Sequence, residues 1–226
     1  MNVSKYLSIK SFAGEEVCLV AVSKMRSPEE IMELYAMGHL DFGENYVQEL
    51  VEKKVVLPED IRWHFIGHLQ SNKVKFIAPF VHLIHSVDSY KLLMEINKQG
   101  KKHDRVIDCL LQVHIARETT KHGLSEQELD EIVNIFSKCS HVNELANIRI
   151  KGLMGMATFT HDQEQVRKEF RFLKHLYDKY SSVEYPNFKF SILSMGMSDD
   201  YQIALEEGSN MLRVGSLIFG PRTKSD

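Results

Sequence analysis

Apolar and polar positions along this chain change period repeatedly. A short run that is apolar at almost every position gives way to a longer stretch in which apolar side chains return every three or four residues. Runs of the first kind suit strands buried on both faces, found mainly in parallel sheets flanked by helices; stretches of the second kind suit helices with one apolar stripe. The first run, Val17 to Val22, closes on Ser23-Lys24. Ser27-Pro28-Glu29-Glu30 then supplies an N-cap, a first-turn proline and a capping-box glutamate, with Ile31, Leu34 and Tyr35 as the stripe and Gly38 as the stop. Leu40 to Gly43 with a helix to about Lys54 forms a second unit. Ile61 to Gly67 with a short helix to about Ala78 forms a third, and Val81 to Val87 with a helix ending near Gly100 a fourth. Val106 to Ile115 precedes the capping box Ser125 to Glu128 and a stripe of Leu129, Ile132, Val133 and Phe136. Ile148 to Met156 precedes a long helix from about Asp162 to Tyr180, and Gly152 and Gly155 mark where that strand turns or meets a close neighbour. Phe188 to Leu193, a short helix Asp199 to Glu206, and Met211 to Phe219 complete eight units.

Eight strands alternating with helices, with no linker rich in Pro, Gly or Ser, predict one α/β domain over residues 1–226, a single (β/α)8 TIM barrel. An open doubly wound sheet is the competing architecture. No strand is followed by G-x-G-x-x-G, and the eight-unit count favours closure.

Composition narrows the classes. With 43% hydrophobic and 26% charged residues the chain is an ordinary globular protein, and a net charge of -3 gives no electrostatic footprint for nucleic acid or anionic membrane. No apolar run reaches the roughly 18 residues of a membrane span, and Met1 to Lys5 lacks a signal-peptide core, so a cytoplasmic location is expected. Cys18, Cys109 and Cys139 are odd in number and far apart, which fits reduced thiols.

In a barrel the C-terminal ends of all strands share one mouth, so residues remote in sequence converge there. Lys24 follows the first strand, Asn45 the second, and His64 and Gly67 belong to the third; Ser194 to Ser198 follow the seventh, and Arg213-Val214-Gly215-Ser216 belong to the eighth. A lysine at the end of a buried strand has two readings: a Schiff-base nucleophile, or an ammonium that reaches solvent. Ser194, Gly196, Ser198, Gly215 and Ser216 suit a phosphate cradle, and equally a pair of tight turns. Arg213 shares a strand face with Gly215 and points inward, where a carboxylate or an atom of a cofactor must accept from it. Together these describe a site for a phosphorylated aldehyde. Metal sites fit poorly. His64 and His68 straddle a strand end and a loop, and His82 and His85, three apart on a strand, face opposite ways. Met154, Met156, Met195 and Met197 suit packing, and Glu118 with Lys121 a solvated loop pair.

Ala21 to Lys24, Phe42 to Glu49, Trp63 to Lys73, Gly152 to Met154, Ser194 to Asp200 and Arg213 to Gly220 resemble the YggS/PROSC family of pyridoxal 5'-phosphate (PLP) homeostasis proteins. That family is similar in fold to the barrel domain of alanine racemase. The resemblance implies that Lys24 holds PLP as a Schiff base and that Ser194, Gly215 and Ser216 hold its phosphate. It also implies that Arg213 faces the pyridine nitrogen and that Asn45 and His64 line the ring pocket. A cation at that nitrogen makes the ring a weaker electron sink than an aspartate would. The implied function is reversible PLP holding in intracellular PLP and amino-acid homeostasis. On this reading the protein is a monomer without strong catalysis of its own, with PLP-dependent or PLP-producing enzymes as partners. A PLP-dependent amino-acid racemase is the alternative. Racemases of this kind take a second base from a further β domain and a partner subunit, and the chain is expected to stop with the barrel. A Schiff-base aldolase acting on a sugar phosphate is a third, which the long blocks disfavour. Three departures stand out: a short leader where relatives have a helix at the barrel base, a short tail, and Ser216 where a threonine is more usual.

Overall fold

The computed structural model describes residues 1–118, 122–137, 145–183 and 185–221; Lys121 and Cys139 lie outside the described residues. Eight parallel strands close on themselves: β1 (Cys18–Val22), β2 (Asp41–Glu44), β3 (Arg62–Phe65), β4 (Leu83–Val87), β5 (Ile107–Gln112), β6 (Ile148–Met154), β7 (Phe188–Ser194) and β8 (Met211–Val214), with β8 paired to β1. Around them lie α1 (Val3–Ala13), α2 (Pro28–Tyr35), α3 (Val47–Val56), α4 (Val74–Ile77), α5 (Tyr90–Lys102), α6 (Glu126–Ser137), α7 (Gln163–Ser181), α8 (Tyr201–Glu206) and α9 (Ser216–Phe219). The expected (β/α)8 barrel is the fold. The capping box at α2 is complete, with Ser27 Oγ accepting from Glu30 N and the Glu30 carboxylate accepting from Ser27 N.

Two boundaries depart from the sequence reading. The leader is a helix after all: α1 is capped by Asn2 and buries Tyr6 and Ile9. Two apolar side chains one turn apart are too faint a stripe to announce it. Conversely, the run expected as a strand through Phe219 leaves the sheet at Val214. Gly215 turns the chain, and Leu217-Ile218-Phe219 serve a single helical turn whose Ile218 carbonyl accepts from Asn2 N at 2.7 Å. Burial against α1 explains the apolar run as well as a strand would.

The core has two parts. The larger lies between sheet and helices and holds Trp63, Phe42, Phe65, Phe170 and Phe188, all nearly or wholly buried. The smaller fills one side of the barrel interior with Val20, Leu83, Leu110, Met154 and Met211. Barrel interiors are ordinarily packed with branched apolar layers; here the other side is polar, and that side leads to the site.

β7 and β8 pair at Ser194↔Met211, and side chains carry much of the remaining seam. Asn210 Oδ1 accepts from Leu193 N at 2.7 Å, its Nδ2 donates to the Ser191 carbonyl at 2.8 Å, and Ser209 Oγ donates to the Met195 carbonyl at 2.7 Å. Strands joined in this way spread at the mouth, where Gly196 and Arg213 meet through a 3.0 Å backbone bond. Among the described residues no helix is long and apolar enough to cross a membrane.

The close approach expected at Gly152 is severe: φ is +150°, and a Cβ there would lie 1.8 Å from the Ile192 carbonyl oxygen of β7. Gly152→Ala is therefore expected to cost about 3 kcal/mol or more in urea unfolding. At Gly38, where φ is +82° and nothing lies within 4 Å, Ala adds only backbone strain of about 1 kcal/mol. Equal losses at the two positions would refute the steric account.

Candidate functional site

β1 ends at Val22, and a tight turn places Lys24, half-buried, at the C-terminal mouth beside Val22, Arg26, Gly215, Ser216 and Gly220. The turn is strained: Met25 has φ +59°, a left-handed conformation that costs a non-glycine residue roughly 1–2 kcal/mol. Its surroundings hold it there. Ser23 N donates to the Gly43 carbonyl at 3.0 Å, Ser23 Oγ to Glu44 Oε1 at 2.6 Å, and Met25 N to Glu49 Oε1 at 2.6 Å. Lys53 ties these together. From α3 its ammonium donates to Glu44 Oε1, to Glu49 Oε1 and to the Ser23 carbonyl, all at 2.6–2.7 Å. Glu44 is wholly buried, and that burial pushes its carboxyl up to about 7 despite Lys53 and Ser23. Sequence reasoning missed this clamp. Its signals were an acid ending a strand buried throughout and the Glu49, Lys53 pair one helical turn apart.

Asn45 follows β2 and is half-buried, and among the described residues its Oδ1 is buried with no hydrogen-bond partner. It cannot drift, because the β3 loop closes on its backbone: a Cβ on Gly67 would lie 2.2 Å from the Asn45 carbonyl oxygen. Gly215 is packed less tightly, with a Cβ there 3.1 Å from the Val22 carbonyl oxygen. Ser216 is exposed beside it.

Arg213 points inward and is buried, and its guanidinium donates from Nη1 to Ser194 Oγ at 2.7 Å and from Nη2 to the Gly155 carbonyl at 2.9 Å. Neither acceptor is a carboxylate. Desolvation lowers this guanidinium to about 10, with Asp200 the one opposing charge.

Two expected site residues lie deeper in the barrel interior. Ser194 is fully buried beneath Arg213, its hydroxyl engaged by Arg213 and by His85 Nδ1 at 3.3 Å. His64 is buried in the lower half of the barrel. Its Nδ1 meets His85 Nε2 at 2.9 Å and its Nε2 meets Asp41 Oδ1 at 3.0 Å, and Arg62 adds two bonds to the same Asp41. Burial works against ionising Asp41, yet the bonds from His64 and Arg62 outweigh it and hold its carboxyl well below the usual range. His64 lines a floor cavity of about 230 Å³ with Cys18, Asp41, Arg62, His82 and Asp108. His82 and His85 do not face opposite ways. Both rings flank His64, at 5.3 and 5.2 Å between centroids, because His82 precedes the first residue of β4 and escapes its alternation.

A second histidine group lies on the mouth loops. His68 Nδ1 is 3.3 Å from Asp88 Oδ2, and the His68 and His122 rings stack 4.1 Å apart at 17°. Near-parallel rings direct their lone pairs side by side instead of toward one ion, so the arrangement as it stands does not form a coordination site.

A closed parallel barrel with a mouth lysine on its first strand and an inward arginine on its last defines a class, that of the alanine racemase N-terminal domain, whose family model matches residues 4–223. A solved alanine racemase from Clostridium difficile shares this fold, with TM-score 0.74 at 18% identity, covering 99% of this chain and 56% of that one. More similar are the "Pyridoxal phosphate homeostasis protein" of Aquifex aeolicus, 41% identical over 205 residues (90% of this chain, 86% of that one), and PipY of Synechococcus elongatus. PipY is 30% identical with TM-score 0.85 without PLP and 0.83 with PLP bound, covering 97% of this chain and 100% of PipY. The chain belongs to the family of pyridoxal phosphate homeostasis proteins.

The clamp beneath Lys24 can be tested apart from any ligand. Lys53→Met strands a buried carboxylate, which costs about 3 kcal/mol or more where Glu44 is ionised. Its folded pKa already stands near 7 with Lys53 present and rises further without it, so the penalty is small at pH 6, where Glu44 is protonated in both proteins, and grows toward pH 8. A gap in urea stability that does not change with pH would show that Glu44 is not the group left unpaired.

Proposed function

We propose that this protein holds PLP reversibly on Lys24, as a carrier in the intracellular balance of the cofactor, and does not use it for strong catalysis of its own. The observation that carries this reading is the meeting, at one mouth, of a half-buried lysine with Gly215 and Ser216, on a strand whose Arg213 points inward. The residues present suit such a ligand. Asn45 Oδ1, buried and unpartnered among the described residues, lacks the donor that a ring hydroxyl provides, and the space over Gly215 would be narrowed by any Cβ.

When bound, PLP supplies an aldehyde for an amine to attack and an electron-withdrawing ring. Lys24 provides the amine, held in place from below by the Glu44, Glu49 and Lys53 clamp. Gly215 and Ser216 would hold the phosphate, Asn45 would border the ring, and Arg213 would face its nitrogen. Because Arg213 donates and does not accept, the ring would be a weaker electron sink there than beside an aspartate. Among the described residues, the polar side chains that line the small pocket beside Lys24 are Arg26 and Ser216, and neither is a base at neutral pH. This favours holding over racemisation, which requires a second base. A cytoplasmic monomer, exchanging cofactor with PLP-dependent or PLP-producing enzymes, completes the proposal.

Purified wild-type protein mixed with PLP and reduced with borohydride is expected to gain one phosphopyridoxyl group on Lys24 by mass spectrometry, and Lys24→Ala to gain none at any defined position. Absence of the adduct in the wild type rejects the assignment. Conversion of L-alanine to D-alanine at enzymic rates replaces the carrier reading with the racemase.

A further inference from the structure

Inside the barrel one unbroken line of hydrogen bonds runs from mouth to floor: Arg213, Ser194, His85, His64, Asp41. The chemistry of its two ends fixes its direction. A guanidinium only donates and an ionised carboxylate only accepts. Starting from Asp41, the nitrogen that faces the carboxylate, His64 Nε2, carries a proton. With that ring neutral, Nδ1 accepts, so His85 donates from Nε2 and accepts at Nδ1 from the Ser194 hydroxyl, which accepts from Arg213. One neutral tautomer of each imidazole satisfies every bond, and all of them point from Arg213 toward Asp41.

Other proton arrangements conflict with the geometry. Turning either ring to its Nδ1–H tautomer sets two donors or two lone pairs against each other. Charging His64 reverses the middle bonds and leaves Ser194 Oγ accepting twice with its own proton undirected. His85 is held neutral by burial first, and the nearby Arg213 charge acts in the same direction. Among the described residues, the charged and titratable groups around the lower half are Arg62 and Cys18 on Asp41, His39 on the Asp41 carbonyl, His82 against His64, and Asp108 with its partner Arg149 across the floor cavity, while Asp200 faces Arg213 at the upper end.

The mouth end of this line is the arginine that the carrier reading sets against the cofactor ring. With Nη1 and Nη2 each bound to a fixed acceptor, the guanidinium cannot rotate. Each aligned dipole below it also polarises the next, in surroundings where electrostatic interactions are strong. We propose that Ser194, His85, His64 and Asp41 are positioning residues for Arg213: they fix the guanidinium and make the electrical surroundings of a bound PLP ring depend on a carboxylate at the opposite end of the barrel. The part concerning the ring rests on the carrier reading, whereas the line itself exists in the free protein. Coupling between two sites is reciprocal. A ligand on Arg213 is therefore felt at His64.

The test separates the two layers. In 15N-labelled free protein at neutral pH, NMR is expected to find His64 and His85 both as Nε2–H tautomers. Asp41→Asn, which keeps the shape and removes the charge, is expected to shift the Arg213 guanidinium resonances. Ser194→Ala cuts the line with little change in volume and is expected to shift the same resonances, while Ser194→Thr restores them. An imidazolium or Nδ1–H tautomer at either ring, or Arg213 resonances unmoved by both Asp41→Asn and Ser194→Ala, overturns the proposal. In the PLP-loaded protein, Asp41→Asn is expected to retain one cofactor per chain on Lys24. Loss of the negative charge lowers the pH midpoint of the bound cofactor's absorption band by at least a few tenths of a unit. An unchanged midpoint overturns the coupling to the ring. A wild type that takes up no PLP on Lys24 rejects the carrier reading instead, and the NMR result still decides the line.

Discussion

The interior of this barrel is built around a buried guanidinium. Arg213 enters from β8 with no carboxylate among its hydrogen-bond acceptors, and a buried cation so placed depends on the oxygens that receive it, Ser194 Oγ and the Gly155 carbonyl, whose loss would cost several kcal/mol. The apolar residues inside the barrel accordingly keep to one side, Val20, Leu83, Leu110, Met154 and Met211, and leave the other to a polar line that ends on Asp41. The negative charge answering Arg213 through that line therefore sits at the far face of the sheet. There Arg62 and solvent share the burden of it. A carboxylate paired directly with Arg213 would give a tighter ion pair, but it would occupy the donors that now lie toward the mouth.

Lys24 depends on the same economy of placement by a different route. Lys24 lies half-buried at the rim, followed by a turn with a left-handed Met25. Strain of that size persists only when the surroundings over-determine it. The buried Glu44 and Lys53 pair does so, reaching the carbonyl of Ser23 and, through Glu49, the amide of Met25. A carboxyl group and an ammonium beneath the turn thus fix the backbone on either side of Lys24.

The hydrophobic pattern carried the barrel because eight changes of period are hard to produce otherwise, and the mouth positions of Lys24, Asn45, Gly215 and Ser216 followed from strand ends alone. What the pattern could not carry was depth. His64 and Ser194 sit on the right strands and face inward as expected, yet the height of a side chain along the barrel axis depends on strand stagger, which no single strand encodes. Their depth, and their engagement by Arg213, His85 and Asp41, therefore show only in the closed barrel. His85, Asp41 and Arg62 were invisible for a related reason: a polar residue facing into a barrel has a partner on another strand, and only the closed sheet shows which. The leader helix and the short turn at Ser216–Phe219 hid from each other, since each owes its apolar residues to the other's surface.

Holding a cofactor and turning it over make opposite demands on these groups. Turnover requires a ring that takes up electrons and a base free to move a substrate proton. Here the group assigned to the nitrogen is a fixed donor whose orientation is locked by four residues beneath it, and the lysine rests on a clamp that resists displacement of its backbone. Such rigidity lowers the entropy lost when a ligand is captured and leaves little freedom for the excursions of a catalytic cycle.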